Sequence, residues 1–286
     1  MQKILIIQNS NSVVHMTYKK SFQQIGKELN VEIITKSCED IWYELQTNTF
    51  DKEIKKVWMI TKDEFLAKQL ELNHIKVFNS SKSIELCNNK GLQALYLKKY
   101  LPKLYYICPY TNNIKELDKK KIEQSIEKYP CILKKCFGSR GLGVYKINNK
   151  RELFKTINKL KTTLWFIQEY IDTSDNKYQA ISYRVFIVNN KVKAIMKNCS
   201  KDDYRTQTIH GGEHYKIDLP KEAKEIALKV VKIIKNYFAG VDIFQDNITK
   251  KWYISEINTS GGLQILSRLY KTELSKEILK FIKGIK

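Results

Sequence analysis

The sequence predicts an α+β (α/β) fold in which a small parallel α/β lobe comes first and antiparallel hairpins follow. Strand and helix patterns alternate over residues 1–78, and such alternation favours a parallel sheet. Further along, pairs of apolar segments flank short turns, which is the pattern of a β-hairpin. The chain of 286 residues is long enough for two or three lobes, each with its own core.

The parallel lobe is predicted to contain four strands and two helices. In chain order these elements cover residues 3–7, 17–29, 31–35, 57–60, 63–72 and 76–78. Asp63 begins the second helix, where its carboxylate can cap free backbone N–H groups. The loop after the first strand, Gln8-Asn9-Ser10-Asn11-Ser12, contains no Gly-x-Gly-x-x-Gly motif, so the sequence does not support a classical dinucleotide site.

The remainder is predicted to consist of extended segments and four helices. The helices cover residues 88–100, 118–128, 220–237 and 273–285. The extended segments cover residues 105–109, 130–134, 144–147, 165–171, 183–188, 192–197, 240–245 and 252–257. Asn189-Asn190 suits a two-residue hairpin turn because Asn tolerates positive φ. Residues 201–216 are polar, contain paired glycines and are predicted to form a loop.

The chain is strongly basic, with a formal net charge of +21. Clustered cations can bind nucleic-acid phosphates by releasing counterions. However, 46 of the 51 basic residues are lysines spread along the chain, whereas a phosphate-binding surface more often uses arginine. We therefore expect no nucleic-acid partner, while attraction of an acidic substrate or peptide stays open.

Composition also indicates which cellular compartment and which metal sites to expect. The sequence has no run of about 18 apolar residues, and residues 1–8 lack the pattern of a signal peptide, so we expect a cytoplasmic protein with no membrane partner. The six cysteines form no Cys-x-x-Cys pair, which argues against zinc and favours reduced thiols.

Asp242, Glu256 and Asn258 form the strongest local pattern. In a hairpin whose turn centres near residue 249, position 242 lies opposite position 256, and Glu256 and Asn258 point to the same side of their strand. Two carboxylates directly opposite each other destabilise a strand pair unless a cation lies between them. Oxygen ligands of this kind suit Mg²⁺, so the pattern predicts a metal site. The alternative is a solvated outer face, which the apolar flanking residues disfavour.

A second pattern is Lys134 followed by the turn Gly138-Ser139-Arg140-Gly141-Leu142-Gly143. A lysine at a strand end can reach phosphate oxygens, and the backbone N–H groups of a glycine turn can surround them. The turn leads into a strand rather than a helix and lacks Gly-Lys-Ser/Thr, so it is not a P-loop. In a chain with 46 lysines, an ordinary hairpin with a surface lysine is an equally good interpretation.

Two weaker patterns concern arginine and a strand end. Only five arginines occur, so Arg184 and Arg205 indicate positions that need the planar guanidinium, and Arg205 could stabilise a transferring phosphoryl group. The segment Gln168-Glu169-Tyr170-Ile171 ends an apolar strand, where backbone groups between lobes could contact an adenine.

Taken in order, these residues resemble the ATP-grasp superfamily, and most of all its RimK branch of ribosomal-protein glutamate ligases and related peptide-modifying ligases. The resemblance covers roughly residues 76–270. The matching segments are Phe78-Asn79-Ser80, Lys90, Pro130 to Lys134, Gly138 to Gly143, Gln168 to Ile171, Arg184, Asp203-Tyr204-Arg205, Gly211-Gly212, Ala239 to Asp242 and Glu256-Ile257-Asn258.

The resemblance implies three lobes, with ATP held between two antiparallel-sheet lobes. We expect their boundaries at residues 1–78, 79–168 and 169–286. The implied metal ligands are Asp242, Glu256 and Asn258, holding two Mg²⁺ ions, with Mn²⁺ as a substitute. The implied nucleotide-binding residues are Lys90, Lys134, Gly138, Ser139, Gly141, Gln168, Glu169, Tyr170, Ile171, Ser182 and Arg205. The implied catalytic residues are Arg205, Lys134 and Arg184.

This chain departs from the family pattern at three places. Ser182 stands where the family has an Asp that contacts ribose. His210 replaces an Arg before the paired glycines, and Asn258-Thr259-Ser260-Gly261-Gly262 lacks the proline of the family motif. The triad and Arg205 are intact, so we expect an active ligase with altered substrate contacts.

The expected function is an ATP-dependent ligase that forms an amide, or in some relatives an ester, through an acyl-phosphate. Its acceptor would be a peptide, a protein or an amino acid, with an acidic acceptor and a homo-oligomeric state left open. A phosphotransferase would need the same phosphate contacts and is the first alternative. A nucleic-acid-binding protein without enzymatic activity is the second, and it rests on charge alone.

Overall fold

The computed structural model describes residues 1–8, 13–108, 118–160, 163–259 and 261–285, with side chains described for all of these except residues 13–20. Its first part is a parallel sheet with the strand order β2-β1-β3-β4. The strands are β1 (Gln2–Ile7), β2 (Val31–Lys36), β3 (Lys56–Met59) and β4 (Lys76–Phe78), and the helices are α1 (Val13–Leu29), α2 (Cys38–Gln46) and α3 (Glu64–Leu72). Asp63 caps α3 by accepting the N–H of Leu66, as the sequence predicts.

The second sheet is antiparallel and has the order β5-β8-β6-β7. Its strands are β5 (Leu104–Ile107), β6 (Cys131–Lys135), β7 (Val144–Ile147) and β8 (Trp165–Glu169). The helices that accompany it are α4 (Ser81–Asn88), α5 (Lys90–Tyr96), α6 (Lys119–Ser125) and α7 (Lys150–Leu160). Strands β6 and β7 join at the glycine turn, so that the turn lies at one end of this sheet.

The third sheet is also antiparallel, with the order β11-β10-β9-β12-β13. Its strands are β9 (Ala180–Val188), β10 (Lys191–Ser200), β11 (Glu213–Lys216), β12 (Phe238–Gln245) and β13 (Trp252–Asn258). The helices of this part are α8 (Lys221–Ile234), α9 (Leu263–Tyr270) and α10 (Leu274–Gly284). One parallel and two antiparallel sheets confirm the predicted fold class.

Shared apolar cores join the three sheets. Ile4 and Trp58 of the parallel sheet pack in one cluster with Phe238 of β12 and Ile278 of α10. Phe166 of β8 packs in another cluster with residues of β9, β12 and α8. The sheets are therefore held against one another by continuous apolar packing, which fixes the walls between them.

Asn79 links the end of the parallel sheet to the third sheet. Its side chain is fully buried. Its Oδ1 accepts the backbone N–H groups of Tyr237 and Phe238 at 2.7 and 3.3 Å, and its Nδ2 donates to the Phe238 carbonyl at 2.9 Å. Three backbone groups thus depend on one side chain for their hydrogen bonds.

Several predicted elements need correction. The helix predicted over residues 88–100 is interrupted at Asn89, which is extended and accepts the Leu92 N–H as the cap of α5. The loop predicted over residues 201–216 contains a 3₁₀ turn, Thr208–His210, and the edge strand β11. Strand β11 is too short and too polar to show a period-2 pattern, and its pairing with β10 defines it.

Helices α2, α7 and α9 lie in parts of the chain for which no helix is predicted from the sequence, and so does α4 apart from its last residue, Asn88. Residues 9–12, Pro109 and Ser260, which enter the predictions above, lie outside the described residues. The two boundaries between the three predicted lobes remain a prediction, and β8 extends one residue past the boundary after residue 168.

Replacement of Asn79 by Ala should lower the free energy of unfolding by about 3 kcal/mol, because three buried backbone groups lose their partner. The measurement is urea denaturation of the intact protein. Asn73→Ala is the matched control, since the Asn73 side chain makes one exposed hydrogen bond, to the Gln69 carbonyl. Equal midpoints for the two variants would contradict the role of Asn79.

Candidate active site

A row of charged side chains crosses three neighbouring strands of the third sheet. Asp242 on β12 lies directly opposite Arg184 on β9 and directly opposite Glu256 on β13. The predicted pairing of positions 242 and 256 is therefore present. A bulge after Asp242 shifts the register of the hairpin, and bulges commonly redirect side chains near active sites.

Arg184 binds both oxygens of Asp242. Its Nε donates to Oδ1 at 2.7 Å and its Nη2 donates to Oδ2 at 2.6 Å. This bidentate geometry requires the planar guanidinium, which lysine does not have. Burial disfavours a charged guanidinium, but Asp242 and Glu256 more than offset this and raise the pKa of Arg184.

Glu256 and Asn258 complete the triad on β13. Asn258 Nδ2 donates to Glu256 Oε1 at 2.9 Å and lies 3.4 Å from Asp242 Oδ2. Lys90 Nζ lies 3.3 Å from Glu256 Oε2. Burial raises the pKa of Asp242. The same burial would raise the pKa of Glu256, but Lys90 and the Asn258 amide outweigh it and lower that pKa.

The donor set suits a hard divalent cation. Two carboxylates face each other across a strand pair, which is unfavourable without positive charge between them, and both already attract cations of the protein. The Asn258 amide points its NH2 group at the carboxylates, and rotation of the amide would present Oδ1 instead. Among the described residues no group of three His, Cys, Asp or Glu could hold a metal, so the candidate site needs the Asn258 oxygen.

Lys134 lies on β6 in the second sheet and is 8% exposed. Burial lowers its pKa to about 8, an effect that Glu256 opposes. Among the described residues, this ammonium makes no hydrogen bond. A buried ammonium without a hydrogen-bond partner is suited to bind an anionic ligand.

The glycine turn is held against the loop between β10 and β11. Gly141 has φ +74°, and a Cβ there would lie 2.8 Å from Gln207 Oε1 and 3.2 Å from His210 Nε2. Glycine adopts this backbone conformation without strain, and its lack of a side chain leaves room for this close approach. The carbonyl of Gly138 accepts a hydrogen bond from Lys90 Nζ.

Arg205 lies in that same loop. Its Nε donates to Asp203 Oδ1 at 2.9 Å and its Nη2 donates to Asp203 Oδ2 at 2.8 Å. Its Nη1 lies 3.4 Å from the Gly141 carbonyl oxygen. The ion pair with Asp203 raises the pKa of Arg205. Tyr204 connects the loop to the edge strand β7, because its hydroxyl donates to the Val144 carbonyl at 2.9 Å and accepts from the Lys146 N–H at 3.3 Å.

The segment at the end of β8 has mixed surroundings. Gln168 is buried, and its Oε1 has no hydrogen-bond partner among the described residues. Glu169 forms an ion pair with Lys128 at 2.8 Å. The Lys146 ammonium lies 4.1 Å from the centre of the Tyr170 ring. The unpaired Gln168 oxygen is suited to a ligand that donates a hydrogen bond.

One cleft of about 910 Å³ brings most of the predicted residues together. All predicted site residues except Gly138 line it, namely Lys90, Lys134, Ser139, Gly141, Gln168, Glu169, Tyr170, Ile171, Ser182, Arg184, Arg205, Asp242, Glu256 and Asn258. A volume of this size is in the range of nucleotide and drug-sized ligands.

The cleft also contains residues that the sequence analysis missed. His214 on β11 bonds Asn198 Oδ1 through Nδ1 at 2.8 Å and Thr208 Oγ1 through Nε2 at 2.7 Å, and burial lowers its pKa. Thr206 also lines the cleft, and its Oγ1 lies 2.6 Å from the hydroxyl of Ser182, which was predicted. Lys62 enters the cleft from the parallel sheet. The only sequence signal for Lys62 is its place just after a parallel strand, the end where ligands bind in such sheets.

The geometry of the cleft identifies the class of protein to which the chain belongs. Two antiparallel sheets face each other across a cleft, one carrying a buried lysine and a glycine turn and the other an acidic triad with its arginine. That combination is the ATP-grasp arrangement. The chain belongs to the RimK-like ATP-grasp domain family, whose model matches residues 92–282. It is an ATP-dependent ligase of the carboxylate–amine type.

Related sequences extend over the chain. The protein MG012 of Mycoplasma genitalium is 27% identical, and the match covers 94% of this chain and 99% of that protein. The alpha-aminoadipate–LysW ligase LysX of Saccharolobus solfataricus is 25% identical, covering 71% and 73% of the two chains. The tetrahydromethanopterin:alpha-L-glutamate ligase of Methanocaldococcus jannaschii is 27% identical, covering 74% and 72%.

Solved structures agree on the fold. The D-alanine–D-alanine ligase of Bacillus anthracis superposes with a TM-score of 0.74 at 17% identity, covering 99% of this chain and 96% of that chain. A RimK domain ATP-grasp protein of Sphaerobacter thermophilus superposes with a TM-score of 0.67 at 11% identity, covering 99% and 100%. No helix among the described residues is both long and apolar enough to cross a membrane.

Replacement of Tyr204 by Phe should loosen the contact between the β10–β11 loop and β7. The substitution removes both hydrogen bonds of the hydroxyl, and loss of the one that the Lys146 N–H donates should speed hydrogen exchange at that amide by about 3- to 10-fold. Exchange is followed by mass spectrometry on the peptide that contains residues 144–147. Tyr43→Phe, at an exposed tyrosine, should leave that peptide unchanged, and an unchanged rate in Tyr204→Phe would show that the hydroxyl does not hold the strand.

Affinity for MgADP should fall as the pH rises above about 8. Lys134 has a pKa of about 8 in the free protein, so above that pH the ammonium loses its proton and its attraction for phosphate, by at most about tenfold per pH unit. Calorimetric titration between pH 7 and pH 9.5 measures this. Lys134→Arg keeps its charge and should flatten the profile, whereas a flat profile in the unaltered protein would contradict the prediction.

Proposed function

We propose that this protein is an ATP- and Mg²⁺-dependent ligase that joins an amino acid to a carboxylate of a peptide, a protein or another amino acid. The observation that carries the proposal is the charge row Arg184–Asp242–Glu256, which faces the buried Lys134 across one cleft. Family membership supports the ligase class.

In this proposal, the predicted residues of the cleft would have the following roles in binding. Lys90 and Lys134 would bind phosphate oxygens, with the turn at Gly138, Ser139 and Gly141 covering them. Gln168 to Ile171 would contact the adenine, where the unpaired Gln168 oxygen is a suitable acceptor. Ser182, bonded to Thr206, would lie near the ribose.

Asp242, Glu256 and Asn258 would hold Mg²⁺, as two ions in the full complex, with Mn²⁺ as a substitute. The metal supplies positive charge to the phosphate oxygens during transfer. Arg205 would contribute a further positive charge close to the γ-phosphate, and Arg184 would keep Asp242 in place and ionised.

The reaction has two steps. A carboxylate oxygen of the acceptor attacks the γ-phosphorus, ADP leaves, and an acyl-phosphate forms. The amine nitrogen then attacks the acyl carbon, phosphate leaves, the nitrogen loses a proton, and an amide results. The protein's part is to align the reactants and stabilise the charge that develops on the transferred group.

The alpha-L-glutamate ligases among the relatives support L-glutamate as the first amino acid to test. The chain's net charge of +21 would favour an acidic acceptor through long-range attraction.

The test follows the γ-phosphate of labelled ATP with Mg²⁺, L-glutamate, short glutamate peptides, and hydroxylamine as a substitute amine that traps an acyl-phosphate. We expect ADP and free phosphate in equal amounts. Asp242→Asn and Glu256→Gln should each lower turnover by at least about 10²-fold, because each removes a carboxylate that would hold the metal, and with the metal its positive charge at the reacting phosphate.

Glu222→Gln, in the first turn of α8 and outside the cleft, is the matched control and should retain full turnover. Label transferred to an organic product without free phosphate would instead identify a phosphotransferase. Full activity in either triad variant would refute the metal assignment.

A further inference from the structure

Lys62 is the one described residue of the parallel sheet region, residues 1–8 and 13–78, that lines the cleft. It follows β3 and precedes Asp63, the cap of α3. Every other described residue that lines the cleft comes from position 90 or later. Among the described residues, Lys62 is therefore the contribution of the parallel-sheet region to the site.

The backbone at Lys62 is fixed from both sides. The preceding Thr61 N–H points at the Ile7 carbonyl at 3.4 Å, and the Lys62 carbonyl accepts Asn88 Nδ2 at 2.8 Å. Asp63 is held by Leu66 N–H and by Trp42 Nε1. Because the backbone of this lysine is held in place, less conformational entropy is lost when its ammonium binds a ligand.

The Lys62 ammonium has no ion-pair partner within the described structure. Its one hydrogen bond is long, 3.4 Å, to Asn258 Oδ1. The two triad carboxylates are instead contacted by Arg184 and Lys90. Other lysines of the same region, such as Lys3, do pair with carboxylates. Lys62 thus places a positive charge in the cleft wall beside the triad, with no carboxylate of the described residues within ion-pair distance of its ammonium.

We propose that Lys62 binds a carboxylate of the amino-acid or peptide substrate and so determines substrate specificity. The inference rests on the proposed function, in which the γ-phosphate lies at the triad and its reaction partner lies next to it. The wall next to Asn258 is formed by Lys62, which offers a charge-assisted hydrogen bond to an anion. A ligand on Asn258 Oδ1 would also free the ammonium from its present contact.

The kinetic test compares Lys62→Met, Lys62→Arg and the control Lys68→Met. Lys68 is an exposed lysine on α3 that does not line the cleft. The probes are L-glutamate and the di- and tripeptides of glutamate, with ADP release as the readout. Lys62→Met should raise KM for the active probe by about 10- to 100-fold and leave KM for ATP within about twofold.

Lys62→Arg should recover most of the affinity, since it keeps the charge. An equal rise of KM for ATP in Lys62→Met would make Lys62 a nucleotide contact and overturn the proposal. A Lys62→Met variant that behaves like Lys68→Met would also overturn it.

A second measurement does not require turnover. Lysines of the intact protein with MgADP are acetylated with a succinimidyl ester, and the modification at each position is quantified by mass spectrometry. The glutamate tripeptide should protect Lys62 several-fold, leave Lys68 unchanged, and protect more than the glutamine tripeptide. If the protein releases no ADP with any probe, the proposed function fails for these substrates. The protection experiment then tests separately whether Lys62 binds a carboxylate. Lack of protection, or equal protection by both peptides, overturns the proposal for Lys62.

Discussion

The rest of the site depends on one ion pair, the bidentate contact between Arg184 and Asp242 across β9 and β12. Without this ion pair, the carboxylate of Asp242 on β12 would lie opposite that of Glu256 on β13 with no guanidinium to offset its negative charge. The guanidinium stabilises that arrangement from the other side of the strand. This lets the sheet keep two carboxylates adjacent, which is the condition for binding a divalent cation there.

The same charge cluster brings together residues from separate parts of the structure. Arg184 and the triad belong to the third sheet, Lys90 reaches Glu256 from the α5 helix, and Lys62 reaches Asn258 from the first. Lys90 and Lys62 therefore occupy oxygens that a metal ion would also need. Release of these two ammonium groups would leave them available to anions of the nucleotide and the substrate. In the proposed complex, the protein's own cations and the metal ion would thus compete for one set of oxygens.

The Asp242–Glu256 pairing could be predicted because strand periodicity and the turn at residue 249 together determine a hairpin register. The bulge after Asp242 could not, since it depends on how β12 fits between β9 and β13. Strand β11, and with it His214, was missed because its four residues, Glu-His-Tyr-Lys, are strand only through pairing with β10. Residue type also reveals little about Lys62 in a chain with 46 lysines.

Arginine is more informative in this chain, and the structure shows why. Arg184 and Arg205 each bind both oxygens of one carboxylate, a geometry that the single ammonium of lysine does not provide. For lysine the informative property is placement. Lys134 is buried, and Lys62 and Lys90 contact triad oxygens. The high net charge is therefore a poor guide to the site, whereas the proposed chemistry depends on a few cations whose positions the fold determines.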